Sequence, residues 1–404
     1  MKSADRSSSY PDTECNDRFP VGPFRRIKDP TPEKLYDLMY RRKKAILCRI
    51  ALWDVKLRDP FWGCPYLAVD KCRNIVRGSF DNGRILQAEY LETTVTDIDL
   101  RIILSEYSAN MDVLTLEYAK YGYLPGCLIR CIQSYYRKKT ELKGVAGQEI
   151  YYTKSKNKLN SVYGMSAQNP VKQDLLYNGG SFDFNQEYSL PVILEQSNRR
   201  AFFAYQWGVW CTAWARYRLE EGIRLAHSDT ADFVYCDTDS VKYVGDIDWT
   251  EYNRIRQERS TETGSYADDP RGVRHYMGVY EEDGQYEQFA TRGAKKYAYI
   301  EGGKLHITIA GVRKKEGAAE LEAAGGLPAF LQESFTFTDG ETEAVYIDRL
   351  REFRYIDGHR IRLAPCVTIR PSAKTLSDTD EYKELLNNAM AFKYFMADKY
   401  GEKL

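Results

Sequence analysis

The stretch YCDTDSVKY, residues 235–243, sets two carboxylates one residue apart within a run of aromatic and β-branched residues. Such a run reads as a strand, and residues i and i+2 of a strand point to the same face. Asp237 and Asp239 are then expected to repel each other on one surface unless a cation sits between them. A fold that accepts this stretch must bring it to the lip of a site. Taken alone the pattern is only moderately specific, because a solvated turn or a calcium-like loop uses the same residues.

The rest of the chain bounds the alternatives. Its 404 residues exceed a typical single domain, so two or three packed units are expected. Lys+Arg and Asp+Glu are both 58, which argues against a uniformly basic nucleic-acid-binding surface and leaves only local patches. Arg41-Arg42-Lys43-Lys44, Arg137-Lys138-Lys139 and Arg313-Lys314-Lys315 are such patches, each equally readable as a solvated surface. Nine cysteines with no CxxC pair are expected to be reduced, buried thiols. His227, His275, His306 and His359 are scattered, which argues against zinc. No apolar run approaches the roughly 18 residues that span a bilayer, and no signal peptide opens the chain. A soluble, cytoplasmic protein with no membrane partner is expected.

Local signals predict the elements. A helix is expected from Pro30 through RRKK, and a strand over LWDVKLRDP that Pro60 stops. Asn82-Gly83 between two strand-like runs predicts a hairpin. Thr96 is expected to cap a helix carrying Asp97 and Asp99 in its first turn. Residues 127–164 read as two helices broken near Gly144 and Gly147, and 206–227 as a long helix with a broad apolar face. Residues 250–275 look like an exposed insertion. A hairpin is expected around Glu301-Gly302-Gly303, and an amphipathic helix near the end, around EYKELLNNAMAFKYFMADKY.

Two further stretches carry chemistry. KNKLNSVYG, 156–164, places Lys156, Asn160 and Tyr163 on one helical face by the i, i+4, i+7 rule. An ammonium, an amide and a phenol together make an odd core stripe and suit an incoming nucleotide. DRSSSYP, 5–11, offers a carboxylate, hydroxyls, an aromatic, and a proline expected to end a strand.

These three stretches resemble, in order, the family B DNA polymerase motifs D-x-x-S-x-Y-P, K-x-x-x-N-S-x-Y-G and Y-x-D-T-D-S. Lys295-Lys296-Tyr297 resembles the family's K-x-Y element. GVWCTAWARYR, 208–218, and TVTDIDLRII, 94–103, resemble its protein-primed, phage-type branch. The resemblance runs from Asp5 to about Arg313, with Ser9 standing where a leucine is common.

The resemblance implies an α+β, right-hand architecture, with an antiparallel palm sheet and helices, helical fingers and a small mixed thumb. It assigns 1–16 and 204–312 to the palm, 127–170 to the fingers and 313–404 to the thumb. Residues 17–126 and 171–203 occupy the positions of two insertions, the first resembling the terminal-protein region. The implied reaction is template-directed transfer of a nucleotidyl group from a dNTP to a primer 3′-hydroxyl, in phage or prophage replication. Two Mg²⁺ ions, or Mn²⁺ in their place, would assist it, held by Asp5 and Asp239 with Asp237 as an auxiliary carboxylate.

Ser8, Ser9, Tyr10, Lys143, Lys156, Asn160 and Tyr163 are implied to hold the nucleotide, Tyr10 lying beneath the sugar. Gly164, Lys295 and Tyr297 are implied to hold the primer and DNA. Expected partners are template-primer DNA, dNTPs, a terminal priming protein and a separate N-terminal exonuclease chain. Only four residues precede Asp5, so no proofreading exonuclease activity is expected. The alternative is a truncated, non-catalytic remnant or split subunit that binds DNA or a replication partner. An RNA-templated polymerase is disfavoured, since Asp-Thr-Asp is not the Asp-Asp pair of reverse transcriptases.

Overall fold

The computed structural model describes residues 1–60, 62–168 and 204–338, with short backbone segments between 176–199 and 342–377. The helix expected over the final residues lies outside the described residues. The chain divides into two compact units, 1–168 with 202–285, and 169–201 with 286–404.

In the first unit, β1 (Lys2–Arg6) leads into α1 (Ser9–Asn16). The strand ends before Pro11, which instead lies in the first helical turn, where its missing N–H is not needed. Ser8 makes the transition in the left-handed region at φ 49°.

Next come β2 (Phe19–Arg26), the short α2 (Pro32–Tyr36), β3 (Ala45–Leu57), β4 (Cys72–Val76), β5 (Ser79–Asp81) and β6 (Arg84–Thr96). With β7 (Tyr107–Gly122) the strands form a sheet ordered β2-β7-β3-β6-β4, and β5 pairs with β6. The β5–β6 hairpin turns at Asn82 and Gly83, both at positive φ, as this turn requires. Between β6 and β7 stands α3 (Asp97–Glu106). Thr96 caps it by accepting from the Asp99 N–H at 3.2 Å, while the Asp99 carboxylate accepts from the Thr96 N–H. Ile46, Ile50, Leu52, Leu91, Leu100 and Leu116 form the core beneath this sheet.

Two helices follow, α4 (Gly126–Glu141) and α5 (Glu149–Ser166), separated by Gly144 and Gly147, both at φ +75°. The long α6 (Tyr205–Ala226) then feeds β8 (Ala231–Asp237) and β9 (Ser240–Gly245). After α7 (Thr250–Thr263) come β10 (Tyr266–Asp268), β11 (Arg274–Tyr276) and β12 (Tyr280–Gln285). A second antiparallel sheet is ordered β8-β9-β1-β12, so β1 takes an interior place between strands more than two hundred residues away. Ala4, Val241 and Tyr243 of this sheet pack with Ile223 and Ala226 of α6. The two stretches that resemble the phage-type branch meet where Arg216 of α6 pairs with Asp99 of α3 at 2.7 Å.

Residues 250–275, expected to be exposed, are only partly so. They contain α7, whose Arg256 and Ser260 are buried. The sequence conceals this because the inward side chains are polar, leaving no apolar period to read. Burial is tolerated because Asp12, fully buried in α1, receives Arg256 at 2.6 Å and also pairs with Arg6. Asn16 donates to the other Asp12 oxygen at 2.6 Å, and Arg6 donates to the Tyr252 and Ser9 hydroxyls. Burial pushes the Asp12 carboxyl up, but Arg256 and Arg6 outweigh it and hold the group below its ordinary range. Gly278, at φ +80°, passes so close that a Cβ there would lie 2.4 Å from the Asp12 carboxyl group.

In the second unit, β13 (Gln288–Thr291), β14 (Lys296–Glu301) and β15 (Lys304–Ile309) form a three-stranded antiparallel sheet. The turn falls at Gly302-Gly303, as expected. Ile307 of β15, Leu321 of α8 (Lys314–Ala323), Phe330 and Phe337 make its core. The described cysteines are all free thiols. Cys127 and Cys131 are exposed, against the expectation of buried thiols. No helix among the described residues is long and apolar enough to cross a membrane.

Truncating Asp12 leaves two guanidinium groups without their shared counter-charge. Asp12→Ala is expected to lower stability by about 3–5 kcal/mol, read as a fall in the urea midpoint.

Candidate active site

Asp5 lies at the junction of three strands. It pairs with Ser240 of β9 on one side and with Glu281 of β12 on the other. The N–H of Arg6 donates to the carbonyl of Asp239 at 2.9 Å, which fixes Asp239 beside the end of β1.

Asp237 and Asp239 do not lie on one continuous strand. β8 stops at Asp237, β9 starts at Ser240, and Thr238 turns the chain at φ 59°. The same-face relation expected of i and i+2 therefore fails. Asp239 joins Asp5 in lining a cavity of about 680 Å³. Asp237 is not among the lining residues and accepts from the Thr238 hydroxyl at 3.0 Å.

From the sheet side, Asp5, Asp239, Glu281, Glu282 and Asp283 line this cavity. From α4, α5 and their connection come Tyr136, Lys139, Lys143, Lys156, Asn160 and Tyr163. Ser8, Ser9 and Tyr10, at the start of α1, complete it. Tyr10 stacks on Tyr163 with ring centroids 4.3 Å apart, and burial, then Tyr163, pushes its hydroxyl up to about 12.

Like charges accumulate on both sides. Burial, then Asp239 and Asp283, push the Asp5 carboxyl up to about 7 against the opposing Lys242. Burial, then Lys156 and Lys143, bring the Lys139 amine down to about 8. Lys139 donates to the Ser8 hydroxyl at 3.1 Å. A ligand carrying cations toward the carboxylates and phosphate oxygens toward the lysines relieves both sets at once. Ser8 and Thr238, both non-glycine residues in the left-handed region, hold the two turns that bound the cavity, a strain of about 1–3 kcal/mol each.

Among the described residues no three His, Cys, Asp or Glu side chains make a complete metal cage. Two carboxylates at one polar cavity nonetheless fit Mg²⁺, which uses one or two protein oxygens and takes the rest from phosphate and water.

The remaining residues named from the sequence are not among those that line the cavity. Gly164 is exposed on α5 outside the cavity lining. Lys295 and Tyr297 belong to the second unit. Lys295, at φ 55°, leads into β14, and Tyr297 is largely buried with its ring 5.5 Å from that of Phe289. Sequence reasoning missed Lys139, Glu281, Glu282 and Asp283. Lys139 stood inside the Arg137-Lys138-Lys139 patch, and its signal was the spacing Tyr136, Lys139, Thr140 on one face of a helix. The acidic run EED had no motif to mark it.

No protein-family profile matches this sequence, and no curated protein matches it. Solved structures do. Phi29 DNA polymerase complexed with primer-template DNA, a post-translocation binary complex, superposes with a TM-score of 0.59 at 17% identity. That match covers 93% of this chain and 57% of the polymerase. The ternary complex of the same polymerase with primer-template DNA and incoming nucleotide substrates gives 0.57 at 16%, covering 94% and 57%. Its orthorhombic crystal form gives 0.57 at 17%, covering 93% and 58%. The chain has a DNA-polymerase-like fold of mixed α and β structure with antiparallel sheets. It spans less than two thirds of the length of these polymerases.

Asp5 binds its proton more tightly when folded, so its stabilisation is present below pH 4 and is lost as pH rises through about 7. Asp5→Asn is expected to raise stability at pH 8 by on the order of 1–2 kcal/mol, after allowance for solvent screening, and to change little near pH 4. Thermal melting at the two pH values checks this.

Proposed function

We propose that the chain is the polymerase region of a family B, protein-primed DNA polymerase, and that its cavity performs template-directed nucleotidyl transfer from a dNTP to a primer 3′-hydroxyl. The observation that carries this reading is one cavity, in a polymerase-like fold, that sets Asp5 and Asp239 against Lys139, Lys143 and Lys156. The solved neighbours hold primer-template DNA and incoming nucleotides. Primer-template DNA and dNTPs are the proposed partners here.

In this reading Asp5 and Asp239 hold divalent cations, which when bound lower the pKa of the attacking hydroxyl and neutralise the leaving pyrophosphate. The three lysines pair with the triphosphate oxygens, and Lys139, partly neutral near pH 8, takes up a proton from solvent as that anion binds. The N–H groups at the start of α1 offer fixed dipoles to the same phosphates. Tyr10, held flat by Tyr163, closes the space beneath the sugar and rejects a 2′-hydroxyl. Asn160 shapes the base pocket. Asp237 tunes the acidic cluster from outside the cavity. Lys295 and Tyr297 hold the primer strand, Gly164 lies along the DNA, and a terminal protein supplies the first hydroxyl.

Primer extension by the purified chain tests the assignment. Asp239→Ala is expected to lower extension by about 10²–10³-fold. Unchanged extension refutes its role, and an inert wild type that still binds DNA supports the non-catalytic alternative. Metal dependence gives a second check. Because Asp5 keeps its proton below about pH 7, the rise in melting temperature on adding Mg²⁺ with a dNTP is expected to be larger at pH 8 than at pH 6.

A further inference from the structure

The first unit carries a second groove, of about 510 Å³, which shares no lining residue with the acidic cavity. Arg18, Tyr40, Lys43, Arg101, Tyr123 and Arg259 line it. Tyr40 is 56% exposed and Tyr123 46%. The guanidinium carbons of Arg18 and Arg259 lie 5.8 and 5.3 Å from the Tyr123 ring centroid, and Arg259 donates to its hydroxyl at 2.9 Å.

The lining of the groove is mostly cationic, although Arg259 also pairs with Glu262 at 2.9 Å. Its single carboxylate, Asp17, is buried and occupied by Arg218 at 2.7 Å. Among the described residues neither Arg18 nor Lys43 has an ion-pair partner. Arg101 lies 3.8 Å from Asp97, and its Nε is buried with no hydrogen-bond partner. Cations interleaved with part-exposed aromatic rings, Tyr123 beside Arg18 and Arg259 and Tyr40 beside Tyr36, suit a chain that carries phosphates and flat bases alternately. An acidic peptide would use the cations and leave the rings idle. A duplex would hide its bases from them.

We propose that this groove binds single-stranded nucleic acid, stacking bases on Tyr40 and Tyr123 and pairing phosphates with Arg18 and Lys43, while Arg101 and Arg259 add to the positive field. The proposal stands whether or not the acidic cavity polymerises.

The test uses the full chain with a single-stranded oligothymidylate of about ten nucleotides, part of whose bases are replaced by 5-iodouracil. Ultraviolet crosslinking followed by peptide mapping is expected to mark the peptides containing Tyr40 and Tyr123, and to mark them still in Lys156→Ala. Fluorescence anisotropy is expected to show Tyr40→Ala weakening the oligonucleotide by about fivefold or more, with melting temperature unchanged. Lys43→Ser is expected to lower the slope of log affinity against log salt by about 0.7. Crosslinks confined to the acidic cavity overturn the proposal. So does wild-type affinity in both Tyr40→Ala and Tyr123→Ala, or displacement by a polyglutamate peptide as effective as by unlabelled oligothymidylate.

Discussion

A single buried carboxylate, Asp12, holds together the parts of the molecule that carry chemistry. It faces two guanidinium groups, Arg6 from the end of β1 and Arg256 from α7, with Asn16 on its second oxygen. Charges buried this deeply are tolerable only with near-complete pairing, and here the Ser9 and Tyr252 hydroxyls accept further donors of Arg6. Arg6 follows Asp5 directly, and Asp12 lies on the helix that Ser8, Ser9 and Tyr10 begin. The network therefore fixes the acidic edge of the cavity and the turn at Ser8 with one set of bonds. Gly278 leaves the space this requires, and its N–H bonds the Ser7 carbonyl at 2.7 Å.

Onto this frame the chain loads groups that do not favour one another. Five carboxylates line the cavity opposite three lysines, and two residues hold left-handed backbone beside them. Local choices that disagree with stability concentrate where a ligand restores the balance. The raised Asp5 and the depressed Lys139 express the same imbalance from opposite sides. The proposed metal–triphosphate would answer both because it carries both signs of charge in one molecule.

Much of this was legible in the residues. The Asn82-Gly83 hairpin, the Thr96 cap, the glycine break between α4 and α5, and the shared face of Lys156, Asn160 and Tyr163 all follow from short-range rules that act within a few residues. The failures are of a different kind. The DTD segment read as a strand and turn with both carboxylates on one face, yet the chain reverses at Thr238, between them, without the glycine or asparagine that usually marks a turn. α7 carries its buried face on Arg256, whose partner Asp12 lies 244 residues away, and on Ser260, which donates to the Met277 carbonyl. The acidic run of β12 became part of the site only through pairing with β1. Long-range pairing leaves no local trace.

Asp5 and Asp239, distant in sequence, are proposed to act on one bound cation. A double-mutant cycle on Mn²⁺ binding, followed by titration calorimetry with a non-hydrolysable dNTP analogue present, tests it most directly. If the two carboxylates share the ion, Asp5→Ala and Asp239→Ala each weaken Mn²⁺ strongly and the double variant loses little more. Independent, additive losses, or Mn²⁺ binding indifferent to either change, would contradict it.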